Sequence, residues 1–159
     1  MVKILVVYDS KTGNTEKMAF AIADGAKQVR RVKVDLKKVA RASLEDLLEA
    51  DGIIMGSPTY YGQMSARLKA FIDESVKIHG KLAGKVGAAF TSSGGTASGA
   101  ETTLLSIVQA MLVHGMIVEG RADTKHYGAA AVGAPDKKEV ASCKGLGRRV
   151  ASLTARLKA

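Results

Sequence analysis

The chain has 159 residues, 47% of them hydrophobic, which is the length of one domain with ample material for a single buried core. No apolar run approaches the ~18 residues that span a bilayer, and the N-terminus runs straight into a strand pattern where a signal peptide would begin, so a soluble, cytoplasmic protein is expected. The formal charge of +9 is uneven, with Lys27, Arg30, Arg31, Lys33, Lys37, Lys38 and Arg41 crowded into one segment; without interleaved aromatics or a helix-turn-helix, zinc-finger or RNP-like motif that cluster reads as solvated surface, and no nucleic-acid partner is expected.

Apolar runs alternate with helical patterns along the whole chain. Val2 to Tyr8 reads as a strand, followed by a helix near Thr15 to Val29. A second strand, Val32 to Leu36, precedes a helix over Ser43 to Glu49, where Ser43 and Asp46 have the spacing of a capping box. Gly52 to Gly56 is a third strand, with a helix over Met64 to Ile78, and Val86 to Thr91 is a fourth, with a helix over Ala100 to His114. Met116 to Val118 is a short fifth strand before a last helix near Lys137 to Leu157. Strands that alternate with helices in this way predict a single domain over residues 1–159 built on an open parallel sheet covered on both faces.

Strand character predicts the order. The first, third and fourth runs are apolar at nearly every position, as central strands are, whereas Lys33, Asp35 and Lys37 interrupt the second as they would an edge strand. With right-handed crossovers the simplest order is 2-1-3-4-5, and ligands then bind beyond the carboxyl ends of strands 1 and 3.

Three loops converge there. After the first strand comes Asp9-Ser10-Lys11-Thr12-Gly13-Asn14-Thr15, a hydroxyl-rich turn at a helix N-terminus. Unpaired amides and the helix dipole make such a turn a phosphate site, with Gly13 and Asn14 tolerating positive φ; an ordinary turn capped by Asn14 or Thr12 is the alternative. The second loop, Ser57-Pro58-Thr59-Tyr60-Tyr61-Gly62-Gln63-Met64, sets two tyrosines side by side in a chain with no tryptophan. The third, Thr91-Ser92-Ser93-Gly94-Gly95-Thr96-Ala97-Ser98-Gly99, is small and polar. Together they describe a slot for a flat phosphorylated ligand.

Ser10-Lys11-Thr12-Gly13-Asn14-Thr15 resembles the flavodoxin phosphate loop T-x-T-G-N-T, with serine in the first position. The second and third loops, and Leu112-Val113-His114-Gly115-Met116, are similar to the WrbA-type NAD(P)H:quinone oxidoreductase branch of that superfamily. The resemblance implies a flavodoxin-like three-layer αβα sandwich with a five-stranded sheet, and FMN as cofactor. By the same resemblance Ser10, Lys11, Thr12, Gly13, Asn14 and Thr15 would hold the 5′-phosphate. Pro58, Thr59, Tyr60, Tyr61 and Gly62 would pack along the isoalloxazine, and Thr91, Ser92, Ser93, Gly94 and Gly95 would close its other side. His126 and Tyr127 lie where the WrbA-like branch brings a histidine near the flavin, and the peptide joining Tyr61 to Gly62 corresponds to one that turns over with redox state in flavodoxins.

The chain also departs from the pattern. The segment from Asp73 to Gly84 is shorter than in typical WrbA-like reductases and lacks their tryptophan, and the segments those enzymes use for tetramer packing are missing. An electron carrier is therefore the first reading and the quinone reductase its alternative, with a redox donor and acceptor, or NAD(P)H and quinone, as partners and a homo-oligomer possible. Carriers of this kind are usually acidic and this chain is basic, so an unusual partner is expected. Outside redox chemistry stands a non-catalytic nucleotide-binding or regulatory module; the third strand lacks the terminal aspartate of a receiver domain, and neither GxxxxGK[ST] nor GxSxG occurs. The lone Cys143 excludes a CxxC pair and a disulfide, and with the scattered His79, His114 and His126 it makes no metal-ligand spacing.

Overall fold

The continuous apolar runs become the inner strands of a parallel sheet, because only a strand covered on both faces can bury side chains that point alternately up and down. The computed structural model describes residues 1–159. In chain order it has β1 (Val2–Tyr8), α1 (Asn14–Lys27), β2 (Val32–Lys38), α2 (Leu44–Glu49), β3 (Gly52–Pro58), α3 (Ala66–Glu74), β4 (Val86–Ser93), α4 (Ala100–Val113), β5 (Ile117–Val118), β6 (Ala129–Val132) and α5 (Lys137–Lys158). The strands lie parallel in the order β2-β1-β3-β4-β5, with β6 also paired to β4. This is the expected flavodoxin-like architecture with one strand more.

The extra strand explains how the far edge is built. Ile117 and Val118 pair with Val86 and Gly87, while Ala129 to Val132 pair with Phe90 to Ser93. One edge position is thus filled by two short strands in tandem, separated by the loop 119–128. Residues Ala129-Ala130-Ala131-Val132 carry little of the β-branched or aromatic content that marks a strand, so their pairing is imposed by β4 and not by local propensity.

Other boundaries move for local reasons. Strands β3 and β4 run on into the expected loops, pairing Ser57 with Thr91 and Pro58 with Ser92. Helix α3 starts after its N-cap Ser65, whose hydroxyl accepts from Leu68 N, and at Ser75–Ile78 it tightens into a 3₁₀ turn. The cap of α1 is Gly13, in the left-handed region, in place of Asn14 or Thr12. The Ser43/Asp46 capping box forms as expected, and Lys85 adds a lock at the other end of α2 by donating to the carbonyls of Leu47, Leu48 and Ala50.

Alternation along β1 splits the core. Ile4 and Val6 face α1 and α5 with Met18, Ile22, Cys143 and Leu146, while Leu5 and Val7 face α3 and α4 with Leu68, Phe71, Ile107 and Met111. Burial pushes the Cys143 thiol up to about 12, which leaves it an inert packing group. Helices α1 and α5 touch through backbone: a Cβ on Gly147 would lie 2.0 Å from the Ile22 carbonyl oxygen, and one on Gly25 2.0 Å from that of Lys144. At the opposite edge, Lys3 meets Asp35 at 3.0 Å and Lys37 meets Asp46 at 2.6 Å, so Asp35 and Lys37 of β2 are engaged in pairs. No helix is long and apolar enough to cross a membrane.

Candidate functional site

The first loop is shaped by one side chain and one glycine. Ser10 Oγ accepts from the amides of Gly13 (3.2 Å) and Glu16 (3.3 Å), and Gly13 turns the chain at φ 98°. The amides of Lys11, Thr12, Asn14 and Thr15 donate to no group of the chain. A run of unpaired donors around a left-handed glycine at the positive end of a 14-residue helix is suited to a phosphate dianion. Glu16 lies in that first turn, where its charge would oppose an anion. Its carboxylate is engaged instead by the Tyr8 hydroxyl at 2.6 Å and Lys38 at 3.1 Å, which together hold it below the usual carboxylate range. Burial and the neighbouring Glu16 in turn push the Tyr8 phenol up, so it stays a neutral donor.

Hydroxyls join this loop to the other two. Thr15 Oγ1 is 2.8 Å from Ser92 Oγ, and Thr59 N donates to the Ser92 carbonyl at 2.8 Å. Thr91 Oγ1 donates to the Ser57 carbonyl at 2.7 Å, so its lone pairs face Thr59 Oγ1, which donates to it at 2.8 Å. Ser57 Oγ accepts from Ser65 N at 2.7 Å and fixes the start of α3. Residues 91–93 are buried strand residues whose hydroxyls all find partners, Thr91 across the ladder on Ser57, Ser92 on Thr15 and Ser93 on the Gly95 carbonyl at 2.9 Å.

The second loop is a tight turn. Tyr60 and Gln63 exchange backbone hydrogen bonds of 3.0 Å, and the two residues between them, Tyr61 at φ 50° and Gly62 at φ 73°, both lie in the left-handed region. That is the pattern of a type I′ turn. It rests on the start of α4, where a Cβ on Gly99 would be 2.6 Å from Gly62 Cα. The Tyr61 side chain is fully exposed and Tyr60 is 42% exposed.

Two hollows flank the third loop and its neighbours. A cleft of about 370 Å³ is lined by Ser93, Gly95, Leu104, His126, Tyr127 and Glu139 among others, and its walls include none of residues 10–15. A depression of about 300 Å³ lies between the first two loops, lined by Asp9, Lys11, Tyr60, Ser65, Ala66 and Arg67. The structure therefore knits Ser10 to Thr15, Thr59, Tyr60, Thr91 and Ser92 into one rim, while Ser93, Gly95 and His126 face the cleft beyond it. Gly94 is an exposed turn residue outside both hollows. His126 is exposed; its Nδ1 donates to the Arg121 carbonyl at 2.7 Å and its ring stands edge-on to Tyr127.

Sequence reasoning missed several lining groups, and three of them matter most for the walls. Glu139 enters the cleft from α5, Ala131 from the alanine-rich strand β6, and Asp9, 9% exposed, approaches Arg67 at 3.8 Å in the depression. Only Asp9 had a signal, being the first residue past the apolar run. No group of three or more His, Cys, Asp or Glu side chains is placed to hold a metal ion.

Comparison with known proteins gives the same frame. The chain is 42% identical to a flavodoxin of Aquifex aeolicus, over 98% of this chain and 88% of that one. It is 37% identical to an NAD(P)H dehydrogenase (quinone) of Archaeoglobus fulgidus, over 99% of this chain and 100% of that one. Among solved structures, the flavodoxin, WrbA-like protein from Agrobacterium tumefaciens superposes with a TM-score of 0.85 at 27% identity, covering 98% of this chain and 99% of that chain. A flavodoxin from the domain Archaea superposes at 0.78 with 31% identity, covering 97% and 99%. Residues 2–124 match the family model described as NADPH-dependent FMN reductase, and the chain belongs to that family within the flavodoxin-like superfamily.

Proposed function

We infer that this chain is an FMN-binding redox protein that passes electrons between a donor and an acceptor through the bound flavin. One observation carries the reading: the unpaired amides around Gly13 are tied through Thr15 and Ser92 to the same strand end that the tyrosine turn reaches through Thr59, so an anion cradle and an aromatic wall share one rim. Ser10, Lys11, Thr12, Gly13, Asn14 and Thr15 would hold the phosphate, whose roughly two negative charges suit the helix end and the Lys11 ammonium. Pro58, Thr59, Tyr60, Tyr61 and Gly62 would pack along the ring, and Thr91, Ser92, Ser93, Gly94 and Gly95 would close its far side. Bound flavin supplies the electron transfer; the protein orients it and limits water around it.

The test is an absorbance spectrum of the protein with FMN added. Bands near ~450 nm that stay with the protein through gel filtration support the reading, and protein that remains colourless with no saturable quenching of FMN fluorescence removes it.

A second reading, NAD(P)H:quinone oxidoreductase, is favoured by the 370 Å³ cleft beside the rim and by the full-length similarity to a quinone dehydrogenase. Oxidation of NADH or NADPH with benzoquinone by FMN-loaded protein decides it. Turnover of many per second makes the chain an enzyme, and none leaves it a carrier.

A further inference from the structure

Helix α4 ends in a Schellman loop that gathers soft donor atoms. Met116 N donates to the Met111 carbonyl at 3.1 Å and Gly115 N to that of Leu112 at 2.9 Å, with Gly115 at φ 75° and His114 as the C-cap. Such a loop presses the residue after its glycine against the last turn of the helix. The ends of Met111 and Met116 accordingly meet over β4, where a Cβ on Gly87 would lie 2.8 Å from Met111 Sδ and 3.0 Å from Met116 Cε. Packing accounts for the two methionines, but not for the imidazole between them in sequence. Ser75 Oγ donates to the Ile72 carbonyl, so its lone pairs receive the Nε2 proton of His114 at 2.7 Å. The Nδ1 atom of that ring is the one buried side-chain nitrogen or oxygen of the chain with no partner.

His114, Met111 and Met116 line a common cavity of about 10 Å³, and Met55 of β3 forms part of the same wall. A cavity of that size is at the lower limit for one water molecule, and a buried water needs two to four polar partners. The only polar side chains in this wall are His114 and Ser75, and the Ser75 hydroxyl is already committed. A single ion that takes lone pairs suits the cavity better. In the neutral ring a proton on Nε2 leaves the lone pair on Nδ1, and each thioether adds a soft, uncharged donor. No carboxylate or thiolate lines the cavity, which removes the usual ligands of calcium, magnesium and zinc. Thioether and imidazole together select Cu(I), whose single charge is also the smallest a metal ion can bring into an apolar wall. The Nε2–H bond to Ser75, relayed to Ile72, is the outer contact that orients a metal-binding histidine.

We propose that Met111, His114 and Met116 form a binding site for one Cu(I) ion, with the Met55 thioether available as a further ligand. The site lies beside Gly87 near the start of β4, about 15 Å along the strand from Thr91 and Ser92 at the rim, so it is separate from the flavin site.

Anaerobic titration of the protein with Cu(I) supplied as its bicinchoninate complex tests this, with X-ray absorption at the copper edge on the loaded protein. One equivalent of Cu(I) withdrawn from the chelator, with both sulfur and nitrogen scatterers around the copper, is expected. M111L/M116L keeps the core volume and removes both thioethers, and H114Q removes the nitrogen, so each should weaken retention by at least roughly tenfold. FMN should titrate as before in all of them, which separates this site from the redox reading. H79Q and C143A should bind copper like the wild type, although the His79 ring centroid is only 5.7 Å from that of His114. No copper withdrawn, retention undiminished in M111L/M116L or H114Q, loss in H79Q or C143A, or a copper edge without sulfur scattering each overturns the proposal. The wild-type spectrum decides by itself where a variant fails to fold.

Discussion

Tyr61 is placed against its own preference. A residue with a Cβ in the left-handed region is strained by roughly 1–2 kcal/mol, and this side chain recovers none of that by burial, being fully exposed at φ 50°. Asparagine before glycine is the combination a type I′ turn favours. Tyr61→Asn should therefore raise the stability of FMN-free protein by about 0.5–1 kcal/mol in urea denaturation, while weakening FMN affinity through the lost aromatic face. Gly62→Ala acts in the opposite sense, since Gly62 sits at φ 73° with Thr102 Oγ1 3.0 Å from the added Cβ. Turning over the central peptide would convert the turn to type II′, with Gly62 at negative φ and Tyr61 left in a region suited to glycine. The resemblance read from the sequence placed such a turn-over at the peptide joining Tyr61 to Gly62. In the fold Gly62 is what the present orientation requires, so Gly62→Ala loosens it, and unchanged midpoint potentials in that variant would remove the turn from flavin tuning.

At the scale of elements, legibility followed the strength of the periodic signal. Continuous apolar runs such as Ile4-Leu5-Val6-Val7 announced the inner strands, and the charges of β2 announced an edge. The alanine-rich β6 did not, because its strand state depends on pairing to Phe90 through Ser93 and its own residues would suit a helix equally well. The three loops of the site were legible as glycine, proline and hydroxyl punctuation, yet the cleft wall contributed by α5 and β6 was not, since it depends on how the split edge folds over β4. A packing detail of the same kind joins α4 to α3. His114, just past the end of α4, donates from Nε2 to Ser75 Oγ at 2.7 Å, that hydroxyl in turn donates to the Ile72 carbonyl, and the buried Nδ1 of the imidazole has no partner. Burial, and secondarily the charge of His79, hold its pKa below the ordinary 6.5. The unfolded chain then binds more protons than the folded one as pH falls through 6.5, so stability is full above that value and declines below it until the folded form titrates too. Urea midpoints between pH 8 and 5 should show a steeper acid loss for the wild type than for His114→Gln; parallel curves would mean that His114 is not the group responsible.

The whole molecule carries +9 before any ligand, spread over both the β2 edge and α5, so anion binding anywhere on it relieves self-repulsion. A general attraction of that kind has to be separated from anchoring at one loop. FMN and riboflavin share the ring and differ in the phosphate, which makes the pair a direct probe of residues 10–15. Ligand at a hundredfold excess over its dissociation constant stabilises the fold by about 2.7 kcal/mol, or a Tm rise of roughly 5–10 °C for a chain of this length. FMN should produce such a rise at micromolar concentration, and riboflavin at the same concentration far less, if the phosphate is what the unpaired amides of Lys11, Thr12, Asn14 and Thr15 hold, as proposed. Moderate salt separates the two sources of attraction: it screens the diffuse surface charge while leaving contacts at the helix end largely intact. Equal shifts from FMN and riboflavin would place the anchor elsewhere, and an FMN shift that vanishes in 0.3 M salt, roughly twice the physiological level, would assign it to surface charge alone.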